Sequence, residues 1–230
     1  MEDNSNSQNE ISFIITGFGS FHGVNENPTT SIIHHLESEK EKGNLDQHIE
    51  FTRVITTSAS SARTEVNEII QHIRKQSQKD VSPGKHWVIV HFGVNHMKGK
   101  KPAFQLEQNA YNEANFRIAD EDGFQPKNEQ IIPNGTLKRT TDINARKVMA
   151  HLLNDFDVVL SGDAGRFVCN YTYYTTLSSI EETFGDVQVH CLFVHVPKFD
   201  AIPEDVQFAF SKRLLTAISD TILAKAKKKR

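Results

Sequence analysis

The sequence predicts an α/β fold, a three-layer α/β/α single domain with a largely parallel central sheet. Short runs of β-branched and aromatic residues alternate along the chain with longer segments of helical periodicity, as in repeated strand–helix units. One run, residues 187–195, is apolar on both faces and is soon followed by Pro197, as expected of a central strand that helices cover on both sides. Open sheets of this kind place their sites at the carboxyl ends of the strands.

Each predicted element has a local signal. The strands are expected at residues 12–16, 49–57, 87–92, 158–161 and 187–195. Asn27 and Pro28 suit the N-cap and first turn of a helix that ends before Gly43. Further helices are expected at residues 63–76, 141–154, 171–182 and 203–227. Residues 93–142 are too many for a plain connection, so extra short strands are expected at 104–109 and 115–118.

Length and charge favour one enzyme-sized domain. The chain has 230 residues and a net charge of −3. We expect a disordered polar segment at residues 1–10, a domain at residues 11–224 and a basic tail at residues 225–230. The tail is typical of a solvated helix end; nuclear targeting or nucleic-acid binding has no support elsewhere in the chain.

Several function classes lack a signal in the sequence. No secretory signal or membrane-spanning run is found, and two cysteines form no disulfide framework, so a cytoplasmic location is expected. The 11 histidines do not cluster as metal ligands do. The glycines at positions 17, 19 and 23 suggest a phosphate loop only weakly. We therefore expect no metal, cofactor, nucleic acid or membrane partner, and leave a homo-oligomer open.

Cys169 is the candidate nucleophile. It lies between the strand at 158–161 and the helix expected to begin after Asn170, with Gly162 and Gly165 allowing the chain to turn. A thiol near a helix N-terminus is favoured as thiolate by the helix dipole and by unpaired amides. A buried structural cysteine is the alternative.

His195 is the candidate base. It lies at the carboxyl end of its strand, and a right-handed crossover from the strand at 158–161 would make the two strands parallel. Cys169 and His195 would then meet at one edge of the sheet as a thiol–imidazole pair. A hydrogen-bonded core histidine is the alternative.

Several spaced motifs of this chain resemble those of one family, pyroglutamyl peptidase type I. Members of this family are cysteine peptidases that remove N-terminal pyroglutamate. The matching segments are, in chain order, residues 16–23 with 27–28, residues 91–95, residues 106–112, residues 117–123 and the segments around Cys169 and His195. Where this chain differs from bacterial members of the family, as at Val94, its residues are closer to those of eukaryotic members. The resemblance implies the same fold and the hydrolysis of small peptides that begin with pyroglutamate.

The resemblance also implies roles for single residues. Cys169 matches the nucleophile, His195 the general base and Glu107 the acid of the triad. Arg117 matches the arginine that supports the developing oxyanion, and Asp120 an acidic position beyond it. A carboxylate bound to one imidazole nitrogen fixes the tautomer and stabilises imidazolium, which is the chemistry expected of Glu107.

A pocket for a small, flat and neutral lactam ring needs apolar walls. The resemblance implies that Phe18, Phe21 and Ile118 form these walls, and Phe167 and Val168, which flank the nucleophile, are expected to join them. Ordinary core packing is the alternative for Phe18 and Phe21.

Val94 stands where bacterial members of the family carry a glutamine that contacts substrate. This departure leaves two other functions open. One is a non-catalytic protein that binds pyroglutamyl groups. The other is a thiol hydrolase that acts on another small N-terminal acyl or amide substrate.

Overall fold

The elements follow one another mostly as strand and helix. The structure, a computed structural model, describes residues 10–24, 26–79, 84–95, 101–184 and 187–227. In chain order the elements are β1 (Ile11–Phe18), α1 (Pro28–Glu41), β2 (His48–Ile55), α2 (Ala59–Lys79), β3 (His86–Val94), β4 (Phe104–Glu107), β5 (Asn109–Tyr111), β6 (Lys138–Thr140), α3 (Ala145–Ala150), β7 (Val158–Ser161), α4 (Val168–Thr183), β8 (Gln188–Val196) and α5 (Glu204–Lys227).

The central sheet has the strand order β2-β1-β3-β8-β4-β7, and β5 and β6 form a separate antiparallel pair. The pairs β1–β2, β1–β3, β3–β8 and β4–β7 are parallel. Only β4–β8 is antiparallel within this six-stranded sheet. A largely parallel sheet in an α/β domain, as predicted, is confirmed.

The direction of β7 differs from the prediction. Because β4 pairs antiparallel with β8 and parallel with β7, β7 runs opposite to β8, and the expected parallel crossover between them is wrong. In this register Ser161 pairs with Glu107, which pairs with Phe193, two residues before His195. Both β4 and β7 are four residues long. β7 therefore ends close to the level of His195, and a short loop is enough to bring the start of α4 close to His195.

Two apolar clusters cover the two faces of the sheet. One cluster joins side chains on one face of the sheet to α1, α3 and α5. The other cluster joins side chains on the opposite face to α2 and α4. Successive residues of a strand point to opposite faces. In β1, accordingly, Phe13 and Ile15 belong to the first cluster and Ile14 to the second. Three layers result, as predicted.

Local signals fixed some boundaries better than others. The side chain of Asn27 accepts a hydrogen bond from the amide of Thr29, and α1 starts at Pro28 as predicted. The helix expected at 141–154 is only Ala145–Ala150, followed by turns. The strand expected at 115–118 is wrong, since Ala114 only forms an isolated bridge with Glu129.

The predictions for the two ends of the chain fall largely outside the described residues. Residues 1–9 and 228–230, which hold most of the predicted disordered segment and half of the basic tail, lie outside the described residues. In the described part of the chain, no helix is long and apolar enough to cross a membrane.

Candidate active site

His195 and Glu107 form a buried pair on neighbouring strands. In β8, Leu192 and Val194 point into the α1/α3/α5 layer, so His195 points into the layer of α2 and α4. Leu106 of β4 also joins the first layer, which turns Glu107 toward the second. The two side chains meet there, with Nδ1 of His195 2.7 Å from Oε1 of Glu107. The Glu107 side chain is 0% exposed and that of His195 is 5% exposed.

Cys169 completes the arrangement from α4. Phe167 is the N-cap of this helix, so Cys169 lies in the first turn, where it is half-buried. It lies close enough to His195 to raise the pKa of the imidazole. Because Glu107 occupies Nδ1, Nε2 is the nitrogen left for the thiol. The helix thus starts earlier than predicted, and the nucleophile is part of it.

Gly93 makes room for the sulfur. It is the register partner of His195 in the neighbouring strand β3. A Cβ on Gly93 would lie 2.7 Å from the ring of Phe193 and 3.0 Å from Sγ of Cys169. Only glycine fits at this point without displacing one of these groups.

The electrostatics of the site favour a protonated imidazole. Burial lowers the pKa of His195, but the hydrogen bonds and charges of Cys169 and Glu107 outweigh it and raise the pKa to about 10. An imidazolium beside Cys169 stabilises a negative charge on the sulfur. Cys191, by contrast, is buried, and burial raises the pKa of its thiol well above the ordinary value. The two cysteines are therefore chemically distinct.

The first turn of α4 also supplies hydrogen-bond donors. No side chain caps this turn. The first amides of a helix have no partner within the helix, so those of residues 168–170 can donate to an oxygen placed beside Cys169. Such donors are the elements of an oxyanion hole.

A cavity of about 890 Å³ opens onto Cys169 and His195. Among the predicted residues, Phe18, Phe21, Arg117, Ile118 and Phe167 line it. Phe167 packs against Phe21, with ring centroids 6.1 Å apart. Val94, the residue that departs from the family pattern, also lies in the wall.

Two predicted residues lie behind the cavity wall. Val168 was expected to bind substrate, but it is 0% exposed and belongs to the core between the sheet and the α2/α4 layer. The reason is helical geometry, since Val168 and Cys169 point about 100° apart on the same turn. Glu107 does not reach the cavity either, because it lies behind His195.

The turn after β1 is held in place by polar side chains. Asn27 donates to the carbonyl of Gly19 at 2.9 Å, and Thr57 donates to the same carbonyl at 3.2 Å. These contacts fix the backbone between the two aromatic residues of the wall, Phe18 and Phe21.

Asp120 organises a loop beside the cavity. Its carboxylate accepts hydrogen bonds from the amides of Ala59, Asp122 and Phe124, at 2.8, 3.1 and 2.9 Å. Ala59 is the first residue of α2, so Asp120 caps that helix from another segment. The carboxylate supports the loop that follows Arg117 in the chain.

Asn170 is a positioning residue that the sequence analysis missed. It is 0% exposed, accepts from the amide of Tyr111 at 2.8 Å, and donates to the carbonyls of Tyr111 and Glu113. It thereby ties the nucleophile's helix to β5. Its place directly after Cys169 was the only signal in the sequence.

A family model described as pyroglutamyl peptidase matches residues 11–212. The chain belongs to the pyroglutamyl peptidase family. The pyrrolidone-carboxylate peptidase of Vibrio campbellii is 30% identical over 185 residues, which cover 80% of this chain and 77% of the relative. That of Thermococcus litoralis is 27% identical over 191 residues, covering 80% and 75%.

The solved structure of pyrrolidone carboxyl peptidase from Thermococcus litoralis aligns with a TM-score of 0.76 at 20% identity, covering 95% of this chain and 96% of that one. At this identity the likeness shows the fold alone, and it confirms the predicted fold class. Family membership confirms the predicted function class, a pyroglutamyl peptidase of the cysteine type.

Proposed function

We propose that the chain hydrolyses the peptide bond after an N-terminal pyroglutamyl residue, with Cys169 as nucleophile, His195 as general acid and base, and Glu107 as the triad carboxylate. One observation carries this assignment. Three side chains from three elements meet at a cavity: Glu107 is hydrogen-bonded to His195, and Cys169 lies beside His195 and raises the pKa of its imidazole. A structural cysteine would need neither the buried acid nor the opening.

In the first half of the reaction the sulfur of Cys169, as thiolate, attacks the carbonyl carbon of the pyroglutamyl residue. The carbon–nitrogen bond then breaks, and protonated His195 gives its proton to the leaving amine. The product of this step is a thioester between Cys169 and the pyroglutamyl group. Glu107 keeps the imidazole oriented and stabilises its positive charge.

In the second half a water molecule attacks the thioester carbon. Neutral His195 takes the proton of this water, and the carbon–sulfur bond breaks. Pyroglutamate leaves, and Cys169 and His195 return to the thiolate and imidazolium forms.

The oxygen of each tetrahedral intermediate carries a negative charge that needs donors. The free amides of the first turn of α4 and the guanidinium of Arg117, which lines the cavity, are the groups we assign to it. Asp120 supports this arrangement by holding the loop that follows Arg117.

The aromatic wall suits the substrate ring. We assign Phe18, Phe21 and Phe167 to the faces of the lactam and Ile118 to its edge. A lactam presents no charge to such a wall, whereas an open-chain N-terminal residue carries an ammonium that would lose its hydration there.

The test is release of a reporter amine from pyroglutamyl, prolyl and glutaminyl amides. We expect cleavage of the pyroglutamyl amide alone, and its loss in Cys169→Ser with an unchanged melting temperature, because a hydroxyl is not activated by a base suited to a thiol. Cleavage of another amide would favour the alternative hydrolase, with Val94 in an altered pocket. Binding without cleavage would favour the non-catalytic protein, and wild-type turnover in Cys169→Ser would exclude this nucleophile.

A cytoplasmic location and a homo-oligomeric state remain proposals from the sequence. Fractionation of cells and light scattering of the purified chain test them directly.

A further inference from the structure

The charged side chains in the cavity wall are mostly cationic. Among the described residues that line the cavity, Arg117, Arg166 and Lys198 are cations, and Asp163 is the only carboxylate. This excess is local, because the chain as a whole has a net charge of −3. It therefore indicates a preference at the site for negative charge.

Arg166 does not contribute to that preference. Its guanidinium is bound to Glu113 at 2.8 Å and to Asp163 at 2.6 Å. It also lies over the ring of Tyr111, 4.3 Å from the centroid. Its charge is thus neutralised within the protein.

Lys198 is different. It lies two residues after the end of β8 and three residues after His195. The preceding peptide is held in place, because Gln207 of α5 donates to the carbonyl of Pro197 at 2.9 Å. Some other lysines have acidic partners, such as Lys101 with Asp157 and Lys212 with Glu39. In the described part of the chain, no carboxylate pairs with the Lys198 ammonium. Within these residues it is a cation without an acidic partner, on an anchored backbone in the wall of the cavity.

The substrate ring gives this cation nothing to bind. The lactam is neutral, and in the proposed mechanism Arg117 is assigned to the oxyanion. The leaving side of the substrate is the part that can carry a carboxylate.

We propose that Lys198 is a specificity-determining residue that binds a carboxylate on the residue after pyroglutamate. The preferred substrates are then acidic pyroglutamyl peptides, in which the carboxylate is either an acidic side chain or the free α-carboxylate of a dipeptide. The proposal rests on the proposed function, since it names the substrate class of that same site.

Two pairs of substrates separate the two sources of carboxylate. Pyroglutamyl-glutamate amide against pyroglutamyl-glutamine amide tests a side-chain carboxylate. Pyroglutamyl-alanine against pyroglutamyl-alanine amide tests the α-carboxylate. In at least one pair the wild type should favour the acidic member by roughly threefold to tenfold in kcat/KM, as for a partly exposed ion pair. The preference should shrink as salt is added.

Lys198→Met should abolish the preference. The matched control is Lys147→Met, which removes the same charge from an exposed position on α3, in the layer on the other face of the sheet. Its preference should equal that of the wild type. Lys198→Glu should reverse the selection and favour pyroglutamyl-lysine amide, a gain that misfolding cannot imitate.

The outcomes are distinct. If the wild type cleaves no pyroglutamyl substrate, the proposed function fails and this inference with it. If it cleaves both members of each pair equally, or if the preference persists in Lys198→Met, the activity stands and the role of Lys198 is refuted.

Discussion

Replacing Glu107 by glutamine tests the link between the buried carboxylate and His195. The substitution keeps the size of the side chain and removes its charge. It also places an amide in a closed space, where Oε2 of Glu107 has no hydrogen-bond partner among the described residues. Loss of charge should affect catalysis, and the unpaired amide should affect stability.

The size of the electrostatic effect of the substitution follows from the raised pKa of His195. A pKa of about 10 in place of 6.5 corresponds to a preference for the protonated form on the order of 5 kcal/mol. Cys169 and Glu107 share this preference, so loss of one partner removes on the order of 2 kcal/mol, or about 30-fold in rate. An incorrect tautomer of His195 adds to the loss, which reaches roughly 10⁴-fold in other triads. We therefore expect kcat/KM to fall between about 30-fold and 10⁴-fold.

The assay is kcat/KM on a pyroglutamyl reporter amide, with thermal unfolding measured on the same samples. Glu129→Gln, at an exposed position, is the matched control and should retain wild-type activity. A folded Glu107→Gln variant within threefold of the wild type would refute the role of this carboxylate.

The same variant has a pH signature. The pKa of His195 is raised on folding, so the stability that its protonated form contributes is fully present below about pH 6.5 and is lost as the pH rises through about 10. The difference in melting temperature between the wild type and Glu107→Gln should therefore narrow over that range. A constant difference would mean that the charge of Glu107 does not act through His195.

Two further substitutions test the supporting structure. Gly93→Ala should lower kcat/KM about 10-fold to 100-fold, because its Cβ would displace the Cys169 sulfur or the Phe193 ring. Slower alkylation of the Cys169 thiol would report that displacement, and Gly19→Ala, whose Cβ has no neighbour closer than 3.8 Å, should cost much less. Asp120→Asn should cost about 1–2 kcal/mol of stability, because an NH2 donor replaces one of the two carboxylate oxygens that accept from backbone amides. Its loss of activity should be smaller than that of Glu107→Gln. The reverse ranking of activities would make Asp120 the triad acid.

The sequence alone predicted the parts of the fold that depend on local pattern. Continuous apolar runs located β1, β3 and β8, and the Asn27-Pro28 pair marked the start of α1. Spaced motifs predicted the family, which the family model confirms. They also nominated Cys169, His195 and Glu107, which the structure brings together.

Other features depend on contacts between segments far apart in the chain. The residues between β3 and α3 contain few apolar alternations, so the prediction placed a strand at 115–118 that is absent and missed β6. The burial of Val168 in the core followed from where α4 begins, about one turn earlier than predicted. Helix starts without a side-chain cap leave little signal in a sequence.

What the sequence by itself determined is the identity of the candidate reactive side chains, because spaced motifs can be recognised before the chain folds. Tertiary structure decided the direction of β4 and β7, the space at Gly93 that the sulfur of Cys169 occupies, and the neutralisation of Arg166, which lines the same cavity as Lys198. Each of these is set by residues that become neighbours only when the chain folds. Strand direction in particular depends on pairing and loop path, which hydrophobic periodicity does not encode.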